Sequence, residues 1–387
     1  MKFLICGLGS IGQRHVRLLR SELGANAEIY CLRARGNPLV IHDDLTVEKG
    51  VDPAAHYGLK GTFSELGAAL AAQRFDAVFV TNPSHLHLET SLKAAEAGCH
   101  LFIEKPLAHT DEGLGELSDL AARKRLVVQV GYQMAFHPAY ATIADILAGR
   151  MLGPLTHAEF HFGEWLPGVH EYEDYRQTYI ARAEQGGGAI RCLSHKIHIA
   201  RQLMGELRLV SAEGGRLSEL EMDAEDTAVI AASSPFCPAV AISLDLVENP
   251  PRVFDTIAGE AGSLHFDFLA NKMRLQYPGN KVSETAPFNV VRNDLFAAQL
   301  RNFLAAVAGK EKPRVTLADG IAVSAFCARA LEKIKRYTPT TMRCASSRLR
   351  LDKGKKLRPL IEGKPVEPVF RKVADFNSYT LRAKANR

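Results

Sequence analysis

The 387-residue chain has one tryptophan, no C-x-x-C pair and no apolar run approaching the roughly 18 residues that a membrane-spanning helix needs. Each shortage excludes something. Seven cysteines (Cys6, Cys31, Cys99, Cys192, Cys237, Cys327, Cys344), odd in number and widely scattered, argue against a disulfide framework and for reduced thiols in the cytoplasm. The opening MKFLICGLGSIG is too short and too broken by glycine to be a secretory signal core. The expectation is a cytoplasmic protein with no membrane partner. An excess of one charge is also missing from most of the chain: of the formal net +5, residues 337–387 carry +9 and the remainder −4. A basic tail containing RLRLDKGKKLRPLIEGKP could meet phosphate-rich partners, but an isolated charge run reads first as a solvated extension, with nucleic-acid binding the disfavoured alternative.

What is present is the composition of an ordinary globular protein, 47% hydrophobic and 24% charged, long enough for two domains. Over residues 1–125, short apolar runs (KFLIC, EIYCL, DAVFVTN, HLFIE, followed by LVVQV just beyond) alternate with amphipathic helical patterns such as HLETSLKAAEAG. That rhythm predicts right-handed βαβ units and a parallel sheet. TFSE at 62–65 has capping-box spacing ahead of LGAALAA, and residues 36–58 read as loop. Over residues 126–336 a helix-like AYATIADILAG gives way to alternating runs (THAEFHF, RLVSAEGG, TAVIAAS, AVAISLDLV, RVFDTIAG, GSLHFDF, KMRLQY) and then two helical patterns. Successive strands without intervening helices predict an α+β domain with an open, mainly antiparallel sheet. Residues 337–387 form the basic extension.

CGLGSIGQRH sets Gly7, Gly9 and Gly12 in G-x-G-x-x-G spacing, after an apolar strand and at the start of a helix that includes Ser10 and Ile11. This context favours dinucleotide binding: one glycine for the turn, one for close approach of a pyrophosphate, one for helix-on-strand packing. An acidic residue at the end of the second strand would bind a ribose 2′-hydroxyl, but YCLRARG offers Arg33 and Arg35. Guanidinium suits a 2′-phosphate, so NADP is expected, with NAD the alternative if both arginines are solvated loop residues. VTNPSHLH and FIEKP close two further strands, where ligands of parallel sheets bind, so Asn82, Pro83, His85, Glu104 and Lys105 should border the cofactor.

G-x-G-x-x-G at the start, T-N-P-x-x-x-H, E-K-P and GYQMAFHP at 131–138 together resemble the glucose–fructose oxidoreductase, inositol dehydrogenase and MocA-type (Gfo/Idh/MocA) family, from Met1 to about Arg336. The resemblance implies a Rossmann domain followed by an α/β domain whose open sheet serves homo-oligomerisation, and NAD(P)-dependent chemistry on a sugar or polyol carbon. The finer pattern is similar to members associated with bacterial surface-sugar biosynthesis. It implies that Lys105 hydrogen-bonds the reacting oxygen and that His195 is the acid/base, roles that suit removal of a hydroxyl proton as hydride leaves. Three positions depart from the family pattern: Cys192 stands where an aspartate is expected, His198 where a second one is, and Ala135 where an arginine is frequent.

GGGAIRCLSHKIH, 186–198, therefore has several readings. On one helix Cys192, His195 and His198 would share a face at i, i+3 spacing, yet no fourth ligand is near for zinc and nothing activates a thiolate, so no metal is expected. A packing cysteine beside one functional histidine is preferred, with Cys192 and His198 bordering the substrate. The stretch 163–188 holds Trp165, Tyr175, Arg176, Tyr179 and Arg182, suited to a sugar or sugar nucleotide, or else to packing at a subunit interface. The leading expectation is an NAD(P)-dependent sugar oxidoreductase; the competitor is a catalytically weakened NADP(H)-binding sensor or scaffold.

Overall fold

The computed structural model describes residues 1–33, 36, 38–285 and 287–334, together with short strand segments of the extension. The chain divides into two compact units, Met1–Tyr337 and Thr338–Arg387. In the second unit, two hairpins are defined by their backbones: Leu360–Ile361 with Lys364–Pro365, and Val369–Lys372 with Tyr379–Arg382.

The first unit opens with β1 (Lys2–Cys6), whose last four residues are buried, and α1 (Ser10–Leu23). Strands β2 (Glu28–Leu32), β3 (Gly61–Phe63), β4 (Ala77–Val80), β5 (His100–Glu104) and β6 (Val128–Gly131) complete a six-stranded parallel sheet in the order β3-β2-β1-β4-β5-β6. The order reverses at β1, so the crevice beyond the carboxyl ends of β1 and β4 lies at the topological switch point where such sheets bind ligands. Helices α2 (Leu66–Ala72), α3 (His87–Glu96) and α4 (Leu114–Lys124) connect the strands. The expected capping box is not formed: Glu65 is the N-cap of α2 and makes no side-chain cap bond. Residues 36–58 are more than loop, since Leu39–Ile41 pairs with Val47–Lys49 and Asp52 caps a turn of helix at Pro53–His56.

Helix α5 (Pro138–Ala148) leads to β7 (Leu155–Trp165), the strand about which the second sheet is organised. After α6 (Ala189–Cys192) and α7 (His195–Met204) come β8 (Arg208–Gly215), β9 (Thr227–Ser233), β10 (Ala239–Asp245), β11 (Val247–Gly259), β12 (Gly262–Asp267), β13 (Lys272–Tyr277) and β14 (Lys281–Glu284). The eight strands lie in the order β8-β9-β10-β7-β11-β12-β13-β14, antiparallel except where β10 runs parallel to β7. One face of β7 buries Ala158, Phe160 and Phe162 against the helices, a period of two that carries the same face to Glu164. Helices α8 (Arg292–Val307) and α9 (Leu317–Lys333) return to the first sheet: Phe296, Leu300 and Phe303 of α8 pack with Phe79 and Phe102.

Between α7 and the second sheet lies a buried polar knot. Lys196 Nζ is 2.6 Å from Asp255 Oδ1, with neither side chain exposed, and Tyr140 donates to Asp255 Oδ2 at 2.8 Å. The ion pair ties α7 to β11 and the Tyr140 hydrogen bond adds α5, which fixes how α7 sits.

Candidate functional site

The glycine-rich turn has the form a dinucleotide requires. Gly7 adopts φ +105°, and a Cβ there would lie 2.8 Å from the Thr81 carbonyl oxygen. A Cβ at Gly12 would drive into the Gly7 carbonyl oxygen, so α1 can pack on β1 only without it. Gly9, the N-cap of α1, makes no side-chain cap bond and has open space beside it. The unspent amides at the amino end of α1, including those of Ser10 and Ile11, are therefore available to a pyrophosphate. Across the crevice, Thr81 donates to Gly7 O at 2.8 Å, and Asn82 Oδ1 is buried with no hydrogen-bond partner. These residues fit a dinucleotide.

At the end of β2, Arg33 is ion-paired with Asp52, the helix cap from the 36–58 segment. Sequence reading missed Asp52, because that segment gave no sign of folding back on β2. Arg35 lies outside the described residues. Pro83 begins the turn at 84–86, and His85 faces His109 with ring centroids 6.4 Å apart. His87 ties two motifs together: its ring nitrogens lie 2.7 Å from Asn82 O and 2.9 Å from Pro106 O. Burial pushes the His87 imidazole toward neutrality, in which form it can donate to only one of these carbonyls.

Glu104 already has a partner on α1. Its Oε1 is 2.9 Å from His15 Nε2 in a buried pair, with His15 lying against Phe79 and Phe102. His15 had no signal in the sequence beyond its place on the inner face of α1. Lys105, next in the chain, donates from Nζ to the backbone oxygen of Cys192 at 2.8 Å.

The single helical face expected for 192–198 does not form. Helix α6 ends at Cys192 and α7 begins at His195, with Leu193 and Ser194 between. His195 is buried, its ring edge-on to Tyr132 at 5.5 Å, with Nδ1 sealed and unpartnered. Burial first and then the Lys105 charge push its imidazole well below the ordinary range, so it is neutral. His198 stacks on the face of Tyr132 at 4.7 Å, and burial lowers it to about 4. Tyr132 thus lies between the two histidines, and His198 belongs to the packing side. Burial pushes the Cys192 thiol up to about 12, which makes it a neutral packing group.

Of the 163–188 residues singled out in the sequence, Tyr179 reaches this centre; Cys192, Glu104 and Glu164 are the charged or titratable neighbours acting on it. The others do not converge with it. Arg176 is engaged by Asp174 and Glu221, Arg182 Nη1 is 4.0 Å from Asp223, and Tyr175 accepts a hydrogen bond from Glu221 N. Trp165, 38% exposed, alternates to the opposite face of β7 from Glu164. Two further residues come to the site instead. The Tyr172 hydroxyl lies toward Ser10 at the start of α1, and Glu164 is half-buried on the inward face of β7, where burial, ahead of the opposing Lys105 charge, pushes its carboxyl up.

Residues 1–132 match the Gfo/Idh/MocA family described as "Oxidoreductase family, NAD-binding Rossmann fold", and residues 140–265 match its C-terminal domain. The chain is 25% identical over 323 residues to the scyllo-inositol 2-dehydrogenase (NAD(+)) of Bacillus subtilis, covering 81% of this chain and 88% of that protein. It is 28% identical over 240 residues to an uncharacterized oxidoreductase of Synechocystis sp., covering 58% of this chain; the match spans 63% of that relative, less than two thirds of its length. Among solved structures, a levoglucosan dehydrogenase in complex with NADH and levoglucosan superposes with a TM-score of 0.71 at 18% identity, over 86% of this chain and 96% of that one. No helix among the described residues is long and apolar enough to cross a membrane.

Proposed function

The chain belongs to the Gfo/Idh/MocA oxidoreductase family, and on that premise we propose that it transfers hydride between a nicotinamide dinucleotide and a secondary carbinol or ketone of a sugar or sugar nucleotide. In this reading residues 1–125 hold the dinucleotide, residues 126–336 supply the substrate side, and residues 337–387 are an accessory extension. The observation that carries it is the Lys105 ammonium, held on Cys192 O at the carboxyl end of the parallel sheet that bears the glycine-rich turn, acting on a neutral, buried His195.

The residues that would hold the cofactor are Gly7, Gly9, Ser10, Ile11 and Gly12 at its pyrophosphate, with Asn82, Pro83, His85 and Lys105 bordering the nicotinamide half. When bound, the dinucleotide supplies the hydride acceptor for oxidation or the donor for reduction. In the oxidative direction the carbinol proton passes to Nε2 of neutral His195 and from there to solvent. The Lys105 ammonium has three donors and spends one on Cys192 O, so others remain for the developing alkoxide.

We take the cofactor to be NADP(H) in preference to NAD(H), on Arg33 and Arg35. Asp52 already engages Arg33, so a 2′-phosphate has to compete with that carboxylate. The other face of the second sheet carries Val210 and Val229, each 52% exposed, and supports assembly of a homo-oligomer through that face. Six described cysteines, all buried and unpaired, support residence in the reducing cytoplasm.

Initial rates of NADP+ and NAD+ reduction on levoglucosan, scyllo-inositol and UDP-N-acetylglucosamine test the activity. Turnover that disappears in His195→Ala supports it. Tight dinucleotide binding with no turnover in either direction would favour the sensor or scaffold reading, which the sealed, unpartnered Nδ1 of His195 supports.

A further inference from the structure

The triple glycine 186–188, which opens GGGAIRCLSHKIH, is shaped around neighbours from two other segments. Its backbone docks on the turn that carries Tyr179: Gly187 N donates to Arg182 O at 2.9 Å and Gly188 N to Ile180 O at 3.0 Å. Gly188, the N-cap of α6, adopts φ +96° and makes no side-chain cap bond. A Cβ there would overlap the carboxylate of Glu225, so only glycine lets that side chain lie where it does.

Glu225, just ahead of β9, holds the opening of α6 at two points. Its Oε1 accepts from Ile190 N at 3.0 Å, and its backbone oxygen accepts from Ala189 N at 2.9 Å. The Ile190 amide is the one that a serine or aspartate cap would ordinarily satisfy, so the Glu225 carboxylate does from another segment what a glycine cap cannot. Further along the turn, Cys192 N donates to Gly188 O at 3.0 Å, and Cys192 O receives the Lys105 ammonium at 2.8 Å. A short, hydrogen-bonded stretch of main chain therefore connects the Glu225 carboxylate to Lys105.

We propose that Glu225 is a positioning residue of the reaction centre: its carboxylate, seated in the notch left by Gly188, caps α6 and thereby sets the Cys192 carbonyl that aims Lys105. The role rests on the oxidoreductase reading above. It makes the aim of Lys105 sensitive to protons, because an ionised carboxylate accepts the Ile190 N–H about twice as strongly as a neutral carboxyl does. Burial pushes the Glu225 carboxyl up to about 7, against the bonds from its own amide and from Ile190. The groups facing it are Arg191 and Cys192 of α6, Cys327 of α9, whose thiol is 4.0 Å from Ile190 O, and the adjacent Asp226. Burial keeps both thiols neutral, which leaves Arg191 favouring the ionised carboxylate and Asp226 opposing it.

The test uses the full chain, Glu225→Gln, and Ile190→Val to identify one resonance. On whichever of levoglucosan, scyllo-inositol or UDP-N-acetylglucosamine the native chain oxidises, kcat should fall about 10-fold from pH 8 to pH 6, where only about a tenth of the carboxyl stays ionised. His195, held well below its ordinary range, adds no limb in that window. Glu225→Gln should be about 10-fold slower than the native chain at pH 8, level with it at pH 6 and flat between, with KM for the dinucleotide unchanged. Stability should not follow kcat. A carboxyl that titrates near 4.5 unfolded and about 7 folded costs the fold stability as the pH rises through that range, so Glu225→Gln should melt no lower than the native chain at pH 8. Independently of turnover, the nitrogen-15 amide resonance of Ile190 should shift with a midpoint near 7, and the shift should vanish in Glu225→Gln. Native-level kcat at pH 8 in Glu225→Gln, a melting temperature that falls together with kcat, or an Ile190 amide that ignores pH overturns the role of Glu225 alone. Absence of turnover in the native chain on all three compounds counts against the oxidoreductase reading, and the Ile190 titration still decides whether Glu225 holds α6.

Discussion

Lys105 Nζ is held by the backbone oxygen of Cys192 at 2.8 Å, so position 192 orients the ammonium through its main chain and not through its sulfur. Cys192→Ser should therefore change turnover little, and the thiol, pushed up to about 12 by burial, should resist iodoacetamide at pH 8 in the folded chain. Cys192→Asp should raise turnover by giving the Lys105 ammonium an anionic partner. Steady-state kinetics beside mass-spectrometric alkylation checks both. A Cys192→Ser variant that folds but loses its activity would make the thiol the functional group.

The two glycines that flank Ser10 and Ile11 should separate packing from binding. At Gly12 a Cβ meets the Gly7 carbonyl oxygen, so Gly12→Ala should lower thermal stability and weaken nucleotide binding together. At Gly9 there is open space, so Gly9→Ala should fold normally and lose affinity for NADPH and NADH alone. Calorimetric melting with nucleotide fluorescence titration reads both quantities.

Cofactor preference should respond to the Arg33–Asp52 pair. Asp52→Asn should remove the carboxylate that competes with a 2′-phosphate for Arg33 and tighten NADPH relative to NADH, while Arg33→Ala with Arg35→Ala should erase any NADPH preference. Paired fluorescence titrations decide it: an NADPH-to-NADH ratio untouched by either change removes the arginines from the account.

Acid should destabilise this fold through its buried histidines. His198 binds a proton near 6.5 when unfolded but resists protonation to about 4 when stacked on Tyr132. Its contribution is thus present above about pH 6.5 and is lost as the pH falls toward 4, about 3 kcal/mol in all. His195, also lowered by burial, acts in the same direction. Urea unfolding at pH 7.5 and 4.5 should show the loss, and His198→Gln should flatten it.

The Lys196–Asp255 pair should be costly to break from one side. Lys196→Met leaves Asp255 charged, fully buried and, among the described residues, held by Tyr140 alone, a loss of about 3–5 kcal/mol. Lys196→Met with Asp255→Leu should recover much of it, because both desolvation penalties then vanish. Chemical denaturation of the three chains measures this.

Local chemistry determined what could be read along the chain. The βαβ rhythm, the turn built on Gly7, Gly9 and Gly12, the E-K-P lysine and the run of second-sheet strands depend on periodicity and on single backbone conformations, and these survive in one dimension. Tertiary structure alone decided the rest. Asp52 meets Arg33 only because residues 36–58 fold back on β2; Glu104 is withdrawn to His15 only because α1 crosses β5; the break at Leu193 and Ser194 sends His198 to the far side of Tyr132. Arg176 and Arg182 suited a sugar by composition, yet they are claimed by Asp174, Glu221 and Asp223, acids near in space that composition cannot rank. Glu164 was one polar residue on an alternating strand until the fold placed it, half-buried, on the inward face of β7. Which charges meet depends on distances across elements, and these are set by how α7 and β7 pack.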